Sequence, residues 1–289
     1  LQLDQPEAEA ALRAACPGLG RVHEWREYQA VLIWAPLAFV ALGFAIFVLV
    51  PYTAQSLARA IPIETERELG AKLAPQVIAA LGGRPRGKPI LCTAAPGTRA
   101  LERILAAIGA QDVTLSVVDL PIKNALALPG GQLLLFRGLI DFAQSPEEIA
   151  GVLAHEVGHV THRHSLELFI ENAGTAALIG LLVGDVTGGT ALAGMAQFIL
   201  QASYQREAER EADQYALTQL GAAGIDAAPL ALLFDRLAAK APEPGGIFAL
   251  FQTHPLPPER SAFIRAGARP GGPALSAEEW RDLKRICDS

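Results

Sequence analysis

Charge is scarce in this chain. Of its 289 residues only 19% are Asp, Glu, Lys or Arg, against about 25% in ordinary soluble domains. The charges sum to −6 and no basic stripe runs along the sequence, which argues against a nucleic-acid-binding module. Cysteine is rarer still. Cys16, Cys92 and Cys287 stand far apart, with no metal-type spacing and no catalytic motif around them. A G-x-S-x-G elbow is missing as well, so serine and cysteine nucleophile schemes find no support. Internal repeats are absent. Histidine numbers six, few enough that any pairing of them is informative.

Two of the six stand in His155-Glu156-Val157-Gly158-His159, which reads H-E-x-x-H. Four residues along an α-helix is about 400° of rotation, so both imidazoles share one face, one turn apart. At that spacing two neutral ring nitrogens reach one Zn²⁺ at about 2.0–2.1 Å each. Glu156, beside the first histidine, is placed to take a proton from a water that the metal activates. Upstream, Ser145-Pro146-Glu147-Glu148 reads as a capping box with proline at the first helical position. Ile149, Val152, Leu153 and Val160 supply a core-facing stripe. The plain alternative for the pair alone is two polar residues on an exposed helix face.

A catalytic zinc site needs a third protein ligand and one open position. The metzincin pattern would put Gly at 162 and His at 165, but the chain has His162 and Ser165. If the helix continues, His162 lies about 10.5 Å along the axis from His155, too far to share its metal. His164 then points to the opposite side, and both read as surface or packing histidines. Downstream, Glu209 and Asp213 form an E-x-x-x-D pair one helical turn apart. Like charges at that spacing repel by about 0.2–0.5 kcal/mol. Metal ligation removes the conflict: Glu209 binds Zn²⁺, and Asp213 accepts the free ring N–H of a ligand histidine. A solvated helix compensated by Arg206–Glu209 and Arg210–Asp213 pairs is the alternative.

Four segments in order carry a family likeness. They are Asn124-Ala125-Leu126-Ala127-Leu128-Pro129-Gly130-Gly131, then residues 152–159, then residues 206–213, then His254-Pro255 followed by Arg260. Together they resemble the membrane-associated zinc endopeptidases of the HtpX, Oma and CAAX-prenyl endopeptidase family, over residues 61 to 260. Leu126 stands where that family usually has an aromatic residue. The resemblance implies one Zn²⁺ per chain on His155, His159 and Glu209, with Glu156 as general base and Asp213 behind a ligand histidine. It also implies a cleft in which Asn124, Pro129, Gly130 and Gly131 meet substrate and Gln132–Phe136 offers an edge for strand addition by an extended peptide. From the residues alone, an ordinary buried strand fits that run equally well. His254 has two roles open to it by resemblance, stabilising the oxyanion or occupying the open zinc position in a latent state. A loop histidine next to a proline is the third reading.

Residues 31–50 carry no charge and would make a helix about 30 Å long, the thickness of a bilayer's hydrocarbon core. Trp25, Tyr28 and Tyr52 flank the run as an interfacial belt would. The run exceeds a signal peptide's apolar core, and an acidic segment precedes it. The expected organisation is an extramembrane segment over 1–29, a transmembrane helix over 30–51 and a peptidase domain over 52–289. Arg13, Arg21 and Arg26 lean the orientation towards a cytoplasmic N-terminus, placing the domain outside a bacterial inner membrane, on the periplasmic side. In such an oxidising compartment Cys92 and Cys287 could pair. Residues 173–202 form a second apolar region split near 184–189, each arm too short to span. Strands are expected at 113–119 and 132–136, loops at 82–89 and 269–273, a helix stop at Gly221 and Gly224, and a short helix capped by Ser276 with Glu279.

The expected fold is therefore α+β, a helix-dominated zincin-like peptidase domain with a small sheet beside the active helix, after one transmembrane helix. The expected function is a membrane-anchored zinc endopeptidase acting on misfolded or membrane-associated proteins. Its partners would be a protein or peptide substrate and the lipid bilayer. A non-catalytic scaffold or structural zinc module is the alternative. Prenyl-protein processing is disfavoured by the single amino-terminal span.

Overall fold

The computed structural model describes residues 25–81, 90–183, 204–239, 254–255 and 257–288, with positions 11, 14 and 15 besides. The acidic amino-terminal stretch, the 82–89 loop, the 184–189 turn and the second apolar arm lie outside the described residues, as do the side chains of Trp25 and Tyr28. The chain divides into two compact units, Leu1–Val50 and Pro51–Ser289. In the first, α1 (Trp25–Phe44) runs into a π-helical turn, Ala45–Leu49. Helix α2 (Val50–Ala60) follows, all but its first residue in the second unit, and Val31–Ala60 is long and apolar enough to cross a membrane. Its most apolar window has a mean hydropathy of 2.5 and is entirely unburied.

The second unit is built around a four-stranded mixed sheet, order β1-β2-β4-β3, of β1 (Leu91–Cys92), β2 (Thr114–Val118), β3 (Ala125–Leu128) and β4 (Gln132–Phe136). β4 lies parallel to β2 and antiparallel to β3. Its alternate residues bury on opposite faces. Leu133 and Leu135 enter the main core with Ile149, Val152, Leu153 and Val157. Leu134 and Phe136 pack with Ala74 and Val77 of helix α3 (Ile63–Ala80). Burial on both sides explains why the strand reads as an unbroken apolar run rather than an alternation.

This arrangement corrects one expectation. Gln132–Phe136 is interior, and among the described residues the sheet edge next to the active helix belongs to β3. Phe136 N–H bonds to Asn124 C=O, which fixes the antiparallel alternation and turns the N–H and C=O of Ala125 and Ala127 away from β4.

Helices supply the rest: α4 (Ala95–Ala107), α5 (Arg137–Phe142), α6 (Pro146–Thr161), α7 (His164–Val183), α8 (Arg206–Ala222), α9 (Ala228–Ala239), α10 (Pro258–Gly267) and α11 (Ala277–Lys284). The capping box on α11 is present, Ser276 and Glu279 bonding reciprocally. On α6 it is not. Glu148 accepts instead from Gln144 N–H and from Arg236, so the buried carboxylate serves a residue outside the helix and an ion pair. Gly221 lies inside α8. The stop is Gly224, whose φ of +66° allows the paired bonds Gly224 N–H to Gly221 C=O and Ile225 N–H to Leu220 C=O. Cys92 and Cys287 are joined by a disulfide, tying the carboxyl-terminal segment to β1.

Candidate metal centre

Helices α6 and α8 approach closely because small residues meet between them. A Cβ added at Gly158 would lie 2.9 Å from Ala212 Cα. Each helix carries a polar pair at i,i+4, and the close approach sets His155 and His159 against Glu209 and Asp213. His254, from the segment before α10, joins them. Ligand-type atoms of His155, His159, Glu209 and His254 all lie within 4.8 Å of one another, and all four residues are buried. His155 Nε2 stands 3.1 Å from His159 Nε2 and 3.3 Å from His254 Nδ1. Glu209 Oε1 is 2.9 Å from His254 Nδ1 and 3.6 Å from His159 Nε2, and Glu209 Oε2 is 3.5 Å from His155 Nε2.

The charges around this group are balanced by a few named partners. Asp213 Oδ1 lies 2.9 Å from His155 Nδ1, on the side of the ring away from the cluster. Arg260 grips both oxygens of Asp213 at 2.7 Å, donates to Pro255 C=O at 2.8 Å and pairs with Glu209. Burial works against ionising Asp213, but Arg260 and His155 hold its carboxyl below the usual range. Glu209 is likewise held well below it: burial opposes the charge, and His254 and His155 outweigh burial. His155 is itself pushed up to about 9, since Asp213 and Glu209 overcome the cost of burying its charge. His159 moves the other way, lowered by burial and by the neighbouring His155 and His254.

Residues 98–268 match Peptidase family M48. The chain belongs to peptidase family M48. It is 37% identical to a putative beta-barrel assembly-enhancing protease of Vibrio cholerae over 50% of this chain and 32% of that protein. It is 30% identical to the mitochondrial metalloendopeptidase OMA1 of Schizosaccharomyces pombe, over 56% of this chain and 49% of that one. It is also 30% identical to the metalloprotease LoiP of Escherichia coli, over 55% and 64%. The chain therefore spans less than two thirds of the length of these relatives. The M48 assignment agrees with the family resemblance carried by the four sequence segments.

The donor set of this M48 chain fits zinc. Three imidazole nitrogens and a carboxylate oxygen suit a borderline ion, and a tetrahedron with radii of about 2.0–2.1 Å has edges of about 3.3 Å. These five separations among the four residues, 2.9 to 3.6 Å with either Glu209 oxygen, lie around that edge, and the whole group falls within 4.8 Å. Glu156 is fully buried beside the group, and neither carboxylate oxygen has a hydrogen-bond partner among the described residues. His254 Nε2 lies 3.4 Å from Glu156 Oε1.

The other expected site residues flank β3, the strand that borders α6. Asn124 is buried at the start of β3, where its Oδ1 accepts from Ala125 N–H. Pro129, Gly130 and Gly131 form a 3₁₀ turn packed on α3. A Cβ at Gly70 would strike Pro129 C=O at 1.9 Å, and Gly130 N–H donates to Glu66. These contacts run to α3 rather than to His155, His159, Glu209 or His254. Arg210 pairs with Glu207 and leaves Asp213 to Arg260, so the compensated-helix alternative for Asp213 is not the one adopted.

Three residues of the site escaped the sequence reading. Arg260 was legible only as part of a motif, not as the counter-charge to two carboxylates. Tyr204 stacks on His159, with ring centroids 3.8 Å apart and planes at 15°. His164, expected on the opposite side, is buried with its Nδ1 3.0 Å from His159 Nδ1. The helix does not continue through it. α6 ends at Thr161, and Arg163 takes a φ of +61°, which folds the chain back on itself.

Proposed function

We propose that this chain is a membrane-anchored zinc-dependent endopeptidase that hydrolyses peptide bonds in misfolded or membrane-associated proteins. The observation that carries the reading is Glu156, a fully buried carboxylate with no hydrogen-bond partner among the described residues, beside a cluster of zinc-type donors. A buried unpartnered carboxylate costs stability, and a structural zinc module gains nothing from one. A general base gains a proton acceptor free to act.

His155, His159 and Glu209 would hold the metal, with Asp213 fixing the His155 ring from behind. Bound zinc supplies Lewis acidity, lowering the pKa of water to about 7 and polarising a carbonyl. Glu156 accepts the proton from the attacking water at its carboxylate and returns it to the leaving amine. His254 Nδ1 completes the donor group, a position that keeps the resting site closed, as four protein ligands do in structural sites. His254 would have to withdraw to admit substrate, and its imidazole would then be the group available to stabilise an oxyanion. On the β3 edge, Asn124 Oδ1 takes Ala125 N–H and Tyr204 OH donates to Ala127 C=O, so Ala125 C=O and Ala127 N–H are the backbone groups that would meet an extended peptide, a sequence-tolerant mode of binding. The Asn124 and Pro129–Gly131 segments that flank this strand hold it in register for that pairing.

Residues 30–51 serve as the membrane anchor and 52–289 as the peptidase domain. The Cys92–Cys287 disulfide and the arginines before the span both favour a periplasmic domain on a bacterial inner membrane. The Vibrio cholerae relative's name concerns β-barrel assembly, which suits a substrate that is itself a membrane protein in trouble. The test is cleavage of an unfolded protein by the purified chain in detergent. Activity falls with a zinc chelator and returns with added zinc. Cleavage that ignores the chelator contradicts the proposal.

A further inference from the structure

His159 has a support of its own, built from residues outside the motif. α6 stops at Thr161, and Arg163 is the one described non-glycine residue with positive φ, +61°. Its side chain anchors that conformation: Nε donates to Glu66 at 2.7 Å and Nη2 to Ile61 C=O at 2.8 Å. Glu66 in turn accepts from Gly130 N–H at 3.0 Å. Backbone in this region is costly for a side-chain-bearing residue and persists where the surroundings enforce it. The result of the turn is that His164, the next residue, faces back towards α6. Its Nδ1 comes to 3.0 Å from His159 Nδ1, and its Nε2 lies 2.9 Å from Glu211 Oε2 on α8.

Donor and acceptor roles then follow in sequence. A carboxylate only accepts, so His164 carries its hydrogen on Nε2 and donates it to Glu211. That leaves His164 Nδ1 as an acceptor. Two ring nitrogens 3.0 Å apart need one donor between them, and His159 Nδ1 supplies it. His159 Nε2 is left with its lone pair, and Nε2 is the atom that faces His155 and Glu209. Tyr204, stacked on the same ring, opposes its rotation.

We propose that His164 and Glu211 are positioning residues for the metal centre, setting the tautomer and orientation of His159 as Asp213 does for His155. The inference rests on the zinc reading of the cluster. The two ligand histidines are thus served by separate supports from α8, Asp213 directly and Glu211 through His164. Glu211 touches His159 only by way of His164, so its effect must vanish when His164 is gone. A packing role for His164 predicts no such dependence.

The experiment is zinc affinity of the full chain in detergent, measured by competition with a fluorescent chelator. Loss of such an outer partner weakens metal binding by about 10–100-fold. His164→Ala and Glu211→Ala both weaken zinc, the double variant binds no more weakly than His164→Ala, and Glu211→Gln, which keeps an acceptor, recovers most of the loss. Glu211 is part-exposed, with a side chain 44% accessible, so its variants stay folded even if His164→Ala does not. Parent-like zinc affinity in Glu211→Ala overturns the proposal, and so does a double variant whose two losses multiply. If the parent itself takes up no zinc, the metal reading fails instead, and the two failures are distinct.

Discussion

Without metal, the cluster holds a proton on His155. Burial opposes that charge, but Asp213 and Glu209 raise the pKa from 6.5 to about 9. A proton bound more tightly by the folded state stabilises it fully below the unfolded value and less as pH climbs through the folded one. Metal must displace the same proton. Metal-free chain therefore loses stability between pH 6.5 and about 9, while zinc affinity rises across that window. At pH 7 zinc uptake releases about one proton, readable by calorimetry in buffers of different ionisation enthalpy. Zinc affinity that is flat from pH 7 to 9 contradicts this account. His155, Glu156, His159, Glu209 and Asp213 were legible in the sequence because helical spacing is a local property. Arg260 and His164 were not. One arrives from a distant helix, and the other depends on a single backbone torsion at Arg163.

The helices α6 and α8 work as a pair, and their separation sets the cluster. Gly158 is where they touch, with Ala212 Cα and C=O at 2.9 and 3.2 Å from the site of a Cβ. Both neighbours are backbone atoms and have no side-chain freedom to give way. Gly158→Ala pushes the helices apart, costs about 1–3 kcal/mol of stability and weakens zinc together with it. Denaturant unfolding and zinc titration check the two effects, and a variant with parent stability and parent affinity contradicts the close-contact argument. At this scale the sequence was readable where an element carries its own punctuation. α6 begins at Pro146, α11 has its capping box, and β2 and β4 lie within one residue of the expected runs. Strand order was not readable. Gln132–Phe136 and Ala125–Leu128 are both short and apolar, and only the pairing decides which is the edge.

The second unit is tied at two levels, by buried clusters on both faces of its sheet and by a bond that closes a long loop. Cys92 and Cys287 are 195 residues apart, and loops of that length lose about 5 kcal/mol of unfolded-state entropy on closure, of which about 2–5 is commonly realised. Cys92→Ser lowers stability by that amount, and thiol titration of the unreduced, unfolded parent finds one free cysteine, Cys16. The residues themselves carry nothing that selects this pairing, because it follows from β1 lying beside the carboxyl-terminal segment. The apolar helix over Val31–Ala60 was legible at once, since length and composition define it without tertiary context. Membership of the M48 family was equally legible, from four segments spread over most of the chain. The catalytic claim comes down to one carboxylate, and a single comparison tests it. Parent and Glu156→Gln are assayed together for zinc content and for cleavage of an unfolded protein. The account predicts equal zinc, one ion per chain, and a loss of about 10²–10⁴-fold in cleavage rate. A Glu156→Gln variant that binds zinc and cleaves as fast as the parent would contradict it.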